Sequence, residues 1–527
     1  MNSHTLVGRY SGRWSVSLLS PLLSLLLLFT PTNSQSLFVP TKPSPLNLRL
    51  LTDFKDAACL DGSPGAYYVS TYAAGTSRSW LIFFEGGGWC YDGFDCLDRS
   101  KSHLGSSKGY GQVMGEAGGM LSTNCEVNPA FCSFNRVYMK YCDGNSFSGL
   151  RPDPLEVKGS SLHFSGRRIL SAALEDLLKR EPDFQTAEEV LLSGGSAGGL
   201  ATFINADWVG TWLRDKVPSL KKYRAMPLSG FFPRIPNVHG IQSYENSIKG
   251  VFTMSKPDAE EDGLNRACVE AMDKETEKQG GESQRWKCNF AEHLWAFTKT
   301  PLFLVNSVFD NWVIACEILG GDGDAGCHSA PDWTQCGYNL ENCSENQIFV
   351  LNEYRADIVK RLPDLRKVSS GPNGLFMHSC HTHVEAMNDD YLKGISIEGV
   401  SMREAILSWW NLEAPTAPSL HWPCALQGGR FPVQCNPTCA VQRRRPPTEA
   451  VELEADGDGR KSEICTLAEG GEEKSWESIV QTVAQTAFPA ASKRVPLYSS
   501  SVSESHEQGT QTEPTLPEEA FEVLEYE

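Results

Sequence analysis

At 527 residues the chain could hold two or three average domains, although α/β enzymes often run past 200 residues as one. Its formal net charge of -18 gives the molecule no electrostatic reason to seek nucleic acid, whose phosphates are neutralised by Lys and Arg. Of 17 cysteines, 16 lie between Cys59 and Cys439; their spacings show no paired CxxC units and no HExxH helix, which argues against a metal site and for up to eight disulfide bridges.

The elements follow in chain order. Residues 15–30 (SVSLLSPLLSLLLLFT) are almost all apolar or small, follow Arg9 and Arg13, and precede the small polar stretch Asn33 to Ser36. This pattern predicts a signal peptide over residues 1–35. A retained anchor is the competing reading, against which stand Pro21 and a length short for a bilayer span. No later run is apolar over about 18 residues, so no stable membrane insertion is expected. Export fits the disulfide framework, and Asn342-Cys343-Ser344 is a candidate glycosylation acceptor.

A Pro-rich lead (Pro40, Pro43, Pro45) opens into alternating apolar and amphipathic runs over residues 47–440. Strands are predicted at 67–72, 80–84 (WLIFF), 136–141 (RVYMKY), 189–193 (EVLLS) and 301–306 (PLFLVN). Helices are predicted at 165–180, where Ile169, Leu170, Ala173, Leu174, Leu177 and Leu178 share a face, and at 198–214. Strands alternating with helices imply crossover connections and a mostly parallel sheet flanked by helices.

Chemistry enters at the strand ends. The strand WLIFF leads into Glu85-Gly86-Gly87-Gly88-Trp89, in the place where many esterases carry a glycine loop whose N–H groups receive an oxyanion. Gly194-Gly195-Ser196-Ala197-Gly198 fits the GxSxG nucleophile elbow, and the apolar strand before it and the helix-like run after it supply the context that lone motif lacks. The expectation is an α/β-hydrolase-type fold with Ser196 as nucleophile and the N–H groups of Gly87, Gly88 and Ala197 as the oxyanion hole. A glycine-rich structural turn is the bland alternative for both runs.

The acid and the base should follow in that order. Asp310 sits just past the strand PLFLVN; Asp322, Asp324 and Asp332 lie farther out in a Gly- and Cys-rich loop. The base comes from HSCHTH, which offers His378, His381 and His383. A solvated or metal-binding loop is the competing reading there, and a thiol nucleophile at Cys380 is set aside for a disulfide partner. Beyond the hinge Arg443 to Pro447, residues 441–527 turn acidic and poor in apolar groups: from 440 onward there are 18 acidic against 8 basic residues. Such a tail cannot bury enough surface to offset its ordering entropy and is expected to be mostly disordered, with a short helix at 476–484.

Together these residues resemble the plant pectin acetylesterase and animal Notum family. The matching segments are CLDGSPGAYY (59–68), WLIFFEGGGWC (80–90), NRVYMKYCDGNSFSG (135–149), LLSGGSAGGLA (191–201), TPLFLVNSVFDNW (300–312), PDWTQC with ENCS (331–336 and 341–344) and GLFMHSCHTHVEA (374–386). The resemblance implies a triad of Ser196, Asp310 and His383, the oxyanion donors named above, a disulfide-stapled α/β hydrolase, and no cofactor. Plant members commonly carry Cys just before the nucleophile and just after the catalytic histidine; this chain has Gly195 and Val384, which implies a missing cysteine pair. Plant-type members deacetylate pectin, and Notum removes a fatty acyl group from Wnt proteins. The closer likeness to the plant group implies a secreted, extracellular or cell-wall monomer acting on an acetylated polysaccharide, with Asp92, Asp95, Asp98 and Arg99 at the mouth of the site. A non-catalytic glycan-binding pseudoesterase would be favoured by a missing triad residue or oxyanion glycine, and none is missing.

Overall fold

The computed structural model describes residues 45–439 apart from 73–76, 116, 260–262, 321–326, 328–329, 364–367, 369–370, 413–415 and 422–434. The expected signal peptide, the acidic tail, and the alternatives Asp322 and Asp324 lie outside the described residues.

Ten strands join in one sheet: β1 (Leu46–Leu50), β2 (Ala66–Ser70), β3 (Ser79–Phe84), β4 (Val113–Met114), β5 (Asn135–Met139), β6 (Glu189–Gly195), β7 (Lys222–Leu228), β8 (Phe303–Ser307), β9 (Asn373–His378) and β10 (Thr416–His421). Their order is β10-β9-β8-β7-β6-β3-β5-β2-β1-β4. Every pairing from β10 to β5 is parallel, and the antiparallel strands β2, β1 and β4 form one edge. The sheet is therefore mostly parallel, as expected.

Side-chain alternation explains the layering. Along β3, Trp80, Ile82 and Phe84 enter one core while Leu81 and Phe83 enter another; along β6, Val190 and Leu192 oppose Leu191 in the same way. Central strands covered on both faces read as unbroken apolar runs, which is why WLIFF and EVLLS stand out in sequence. Among the helices, α1 (Gly166–Arg180) and α2 (Ala197–Lys216) bury Leu170, Leu174, Leu200 and Phe203 in the first core. On the other face α3 (Met402–Asn411) buries Ala405, Ile406 and Trp409. Both predicted helices are present within two residues of their predicted ends.

The sequence patterns did not disclose β1, β4, β7, β9 or β10. Within β7 the polar Arg224 and the helix- and strand-breaking Pro227 interrupt the apolar run. Arg224 is buried because its guanidinium donates to the carbonyls of Trp409, Trp410 and Leu412 at the end of α3, so a charge is accommodated by three oxygens that a helix terminus leaves free. Among the described residues seven disulfides have both partners in view: Cys59–Cys142, Cys90–Cys96, Cys125–Cys132, Cys268–Cys288, Cys316–Cys327, Cys336–Cys343 and Cys380–Cys439. Cys435 is also disulfide-bonded. Among the described residues no helix is long and apolar enough to cross a membrane.

Candidate active site

Three loops at the carboxyl ends of β3, β6 and β8 meet a fourth after β9, the end of a parallel sheet where ligands bind. Ser196 stands between β6 and α2 with φ 59 and ψ -128, a conformation that costs a non-glycine residue about 1–3 kcal/mol and persists only where the surroundings enforce it. Its N–H is held by the Leu228 carbonyl of β7 at 3.0 Å. Ala197 opens the 20-residue helix α2, so its N–H has no intrahelical acceptor and lies at the positive end of the helix dipole.

The glycine loop after β3 packs directly on this elbow. A Cβ on Gly86 would lie 2.5 Å from the Gly195 carbonyl oxygen and 2.8 Å from Ser196 Cβ, so only glycine fits. Gly87 and Gly88 take φ 138 and 62. The Gly88 carbonyl is engaged by the Tyr141 hydroxyl at 2.8 Å and by Arg99 at 3.4 Å. Arg99, expected at the mouth, thus turns inward to buttress the loop. Asp92 caps the short helix Gly93–Arg99, Asp95 accepts from the Tyr91 N–H, and Asp98 pairs with Lys101, so the acidic residues there are committed to local structure.

A role also emerges for CDGNSFSG, which sequence reasoning quoted without assigning one. Ser146, at φ 49, accepts from Trp89 Nε1 at 2.7 Å and donates to the Ala197 carbonyl at 2.8 Å, tying the glycine loop to the start of α2. The fully buried Asp143 holds that turn by accepting from the Phe147 and Gly149 N–H groups, and burial pushes its carboxyl up to about 6 despite those bonds. The polar run just past a strand end was the available signal.

Among the acids, Asp310 is buried and its Oδ1 accepts from the Trp312 and Val313 N–H groups at 3.0 and 3.2 Å. Its Oδ2 lies 2.8 Å from His383 Nδ1. Asp332 is exposed on a 3-10 turn. The histidines separate cleanly. His378 Nε2 lies 2.8 Å from Glu385, which leaves His378 bound elsewhere, and His381 is buried. Cys380 is bridged to Cys439, which overturns the thiol alternative. His383 Nε2 is buried and has no hydrogen-bond partner among the described residues, so with Nδ1–H donating to Asp310 it is open to receive a proton. Burial would lower the imidazole's pKa, but the Asp310 charge and hydrogen bond outweigh it and hold the pKa above the ordinary 6.5.

The His383 loop is pressed onto the elbow. A Cβ on Gly195 would lie 2.5 Å from Val384 Cγ1, so the two positions that depart from the plant pattern face each other. Ser229 Oγ accepts from the Val384 N–H at 2.9 Å and reaches Glu385 at 3.3 Å. Beside His383, the rings of Trp89, Phe232, Tyr244 and Trp312 pack with centroids 5.0–6.2 Å apart. The Trp312 ring stacks on His383 at 6.4 Å. Behind Asp310, Glu317 is fully buried with neither carboxylate oxygen hydrogen-bonded among the described residues; burial, then the charges of Asp310 and Glu292, raise its pKa well above the ordinary carboxylate value and favour the neutral form.

A family model described as Pectinacetylesterase matches residues 40–440. Pectin acetylesterase 5 of Arabidopsis thaliana is 29% identical over 411 residues, covering 77% of this chain and 87% of that protein. Palmitoleoyl-protein carboxylesterase notum1 of Xenopus laevis is 25% identical over 394 residues, covering 73% and 72%. The solved structure of the Wnt deacylase Notum from Drosophila superposes with a TM-score of 0.59 at 22% identity over 75% of this chain and 99% of that one, a likeness of fold. Its α/β-hydrolase architecture agrees with the sheet and flanking helices described above. With a family model spanning the described region and relatives on both branches that are carboxylesterases, the chain belongs to the pectinacetylesterase family.

Proposed function

We propose that the protein is a secreted serine carboxylesterase that removes O-acetyl groups from a pectin-like cell-wall polysaccharide. The observation that carries the chemistry is the 2.8 Å pairing of Asp310 with His383, whose free Nε2 sits in the loop pressed against the strained Ser196 elbow. Ser196 Oγ attacks the acetyl carbonyl and passes its proton to His383 Nε2. The carbonyl oxygen becomes negative and is received by the N–H groups of Gly87, Gly88 and Ala197. Collapse breaks the ester bond, and His383 returns the proton to the departing sugar hydroxyl. Water, deprotonated by the same nitrogen, then attacks the acetyl-enzyme and releases acetate and Ser196.

A small acyl group is favoured by the ring cluster. Trp89, Phe232 and Tyr244 are each at most 4% exposed, so the space beside His383 is already filled by protein. A fatty chain gains about 0.8 kcal/mol per enclosed CH₂ only where an apolar cavity encloses it, and these rings would have to part to provide one. Secretion is supported by the disulfides together with the apolar leader. The test is purified wild type beside Ser196→Ala on p-nitrophenyl acetate, butyrate and octanoate and on acetylated pectin. Wild type is expected to favour acetate and release acetate from pectin, and Ser196→Ala to fold normally and do neither. Rates rising toward octanoate with no acetate from pectin would replace this reading with a lipid deacylase.

A further inference from the structure

A groove lies toward the far end of α2. Trp208 and Trp212 occupy adjacent turns of that helix and remain part-exposed, lining a groove of about 650 Å³. At about 1.5 Å per residue they stand roughly 18 and 24 Å along the helix from Ser196. The same groove is lined by Lys299, which precedes β8, so it opens where the strands begin, away from the glycine loops.

The groove's charge runs against that of the molecule. Arg214, Arg266 and Lys299 line it and are exposed. Arg214 forms no ion pair among the described residues, whereas Arg266 shares Glu270 at 3.0 Å. Two carboxylates also line it, but both are engaged. Asp207 accepts from the Lys299 and Thr300 N–H groups, the Thr300 hydroxyl and Asn265, which makes it part of the wall, and Asp215 pairs with Lys216 at 3.1 Å. Beneath, the buried Arg167 guanidinium lies 4.7 Å from the Trp208 ring centroid and fixes that indole.

We propose that this groove binds a run of uronate sugars at a distance from the catalytic serine. Each uronate offers a C–H face to an indole and a carboxylate to a neighbouring cation, and side chains four apart on a helix, with Cβ atoms roughly 5–6 Å apart, present successive rings along one strand. The choice of glycan rests on the pectin reading of the substrate. The groove would hold a de-acetylated stretch of the polymer while an acetylated stretch reaches Ser196, raising local substrate concentration.

The test is calorimetric titration of the full chain with de-esterified oligogalacturonate, which contains no ester to cleave. Trp208→Ala/Trp212→Ala is expected to bind about tenfold more weakly or not at all, and the surface variant Arg214→Gln, which spares the core, several-fold more weakly. Affinity should fall with added salt. Both variants should keep wild-type turnover of p-nitrophenyl acetate and show a raised KM with unchanged kcat on acetylated pectin. If wild type releases no acetate from pectin yet oligogalacturonate binding is lost in the variants, the substrate reading falls and the groove stands. Equal binding by wild type and both variants overturns the groove. Equal binding of a neutral cello-oligosaccharide overturns the uronate assignment, and oligogalacturonate binding that appears only after residues 441–527 are removed overturns it for the full chain, in favour of the acidic tail as occupant.

Discussion

One imidazole and one carboxylate behave oppositely because their partners differ. His383 is held above its ordinary pKa by Asp310, and only the neutral ring can take the Ser196 proton. The acid limb of kcat/KM should therefore lie above pH 6.5, with activity rising as pH rises through it. Asp310→Asn removes the charge that raises the ring's pKa; the limb should move down while kcat falls on the order of 10⁴-fold. His383→Ala should lose turnover outright and His381→Ala far less, since the ring that pairs with Asp310 at 2.8 Å is that of His383. Equal losses in the two alanine variants would contradict that geometry. Among the described residues Glu317 has no such partner. Its folded carboxyl has a pKa raised above the ordinary 4.5 of the unfolded chain, so above that pH the folded state binds more protons and stability declines as pH rises. Glu317→Gln keeps the shape without the proton, and its midpoint of urea unfolding should fall less between pH 5 and 9 than that of wild type. Parallel declines would show that Glu317 does not set the slope.

At the scale of elements, the site is built from the strand-end loops after β3, β6, β8 and β9. The elbow after β6 and the loop after β9 meet at Gly195 and Val384, and the Ser146 turn ties the elbow to the glycine loop. A Cβ on Gly195 would lie 2.5 Å from Val384 Cγ1, the place that a cysteine sulfur would take at residue 384, so the pair suits a disulfide. Gly195→Cys/Val384→Cys is expected to close a bridge, seen as no gain in titratable thiols over wild type under denaturation. It should also raise stability by about 2–5 kcal/mol while keeping esterase activity, because the bridge would span most of the sheet in sequence. Two new free thiols would mean that the loops are not apposed as described. Ser146→Ala acts on the same junction by a different route: it leaves Trp89 Nε1 and the Ala197 carbonyl without their shared partner, at a cost of about 1–3 kcal/mol.

Over the whole molecule, Ser196, Asp310 and His383 all lie within the family match, which ends at residue 440, and the bridge Cys380–Cys439 ties the last described cysteine to the histidine loop. Trypsin is expected to release residues beyond the Arg443 to Arg445 cluster and leave p-nitrophenyl acetate hydrolysis intact; lost activity on trimming would mean that the acidic segment supports the enzyme. Sequence by itself determined the parts whose signal is local. WLIFF and EVLLS are buried on both faces and so read as apolar runs, and Gly86 and Ser196 lie in motifs because backbone contact and a positive φ restrict what those positions accept. Ser196, the glycine loop, α1 and α2 were legible for that reason. Tertiary structure decided what depends on partners distant in the chain. From the residues alone three histidines were equal candidates, and the resemblance only pointed to His383; the pairing of His378 with Glu385 and of His383 with Asp310 separates them. Arg99 looked like a mouth residue until its guanidinium was found on Gly88, and Arg224 and Pro227 hid β7 because the carbonyls that accommodate the arginine belong to a helix almost two hundred residues away. Periodicity records which face of an element is buried, and the fold alone records which buried groups meet.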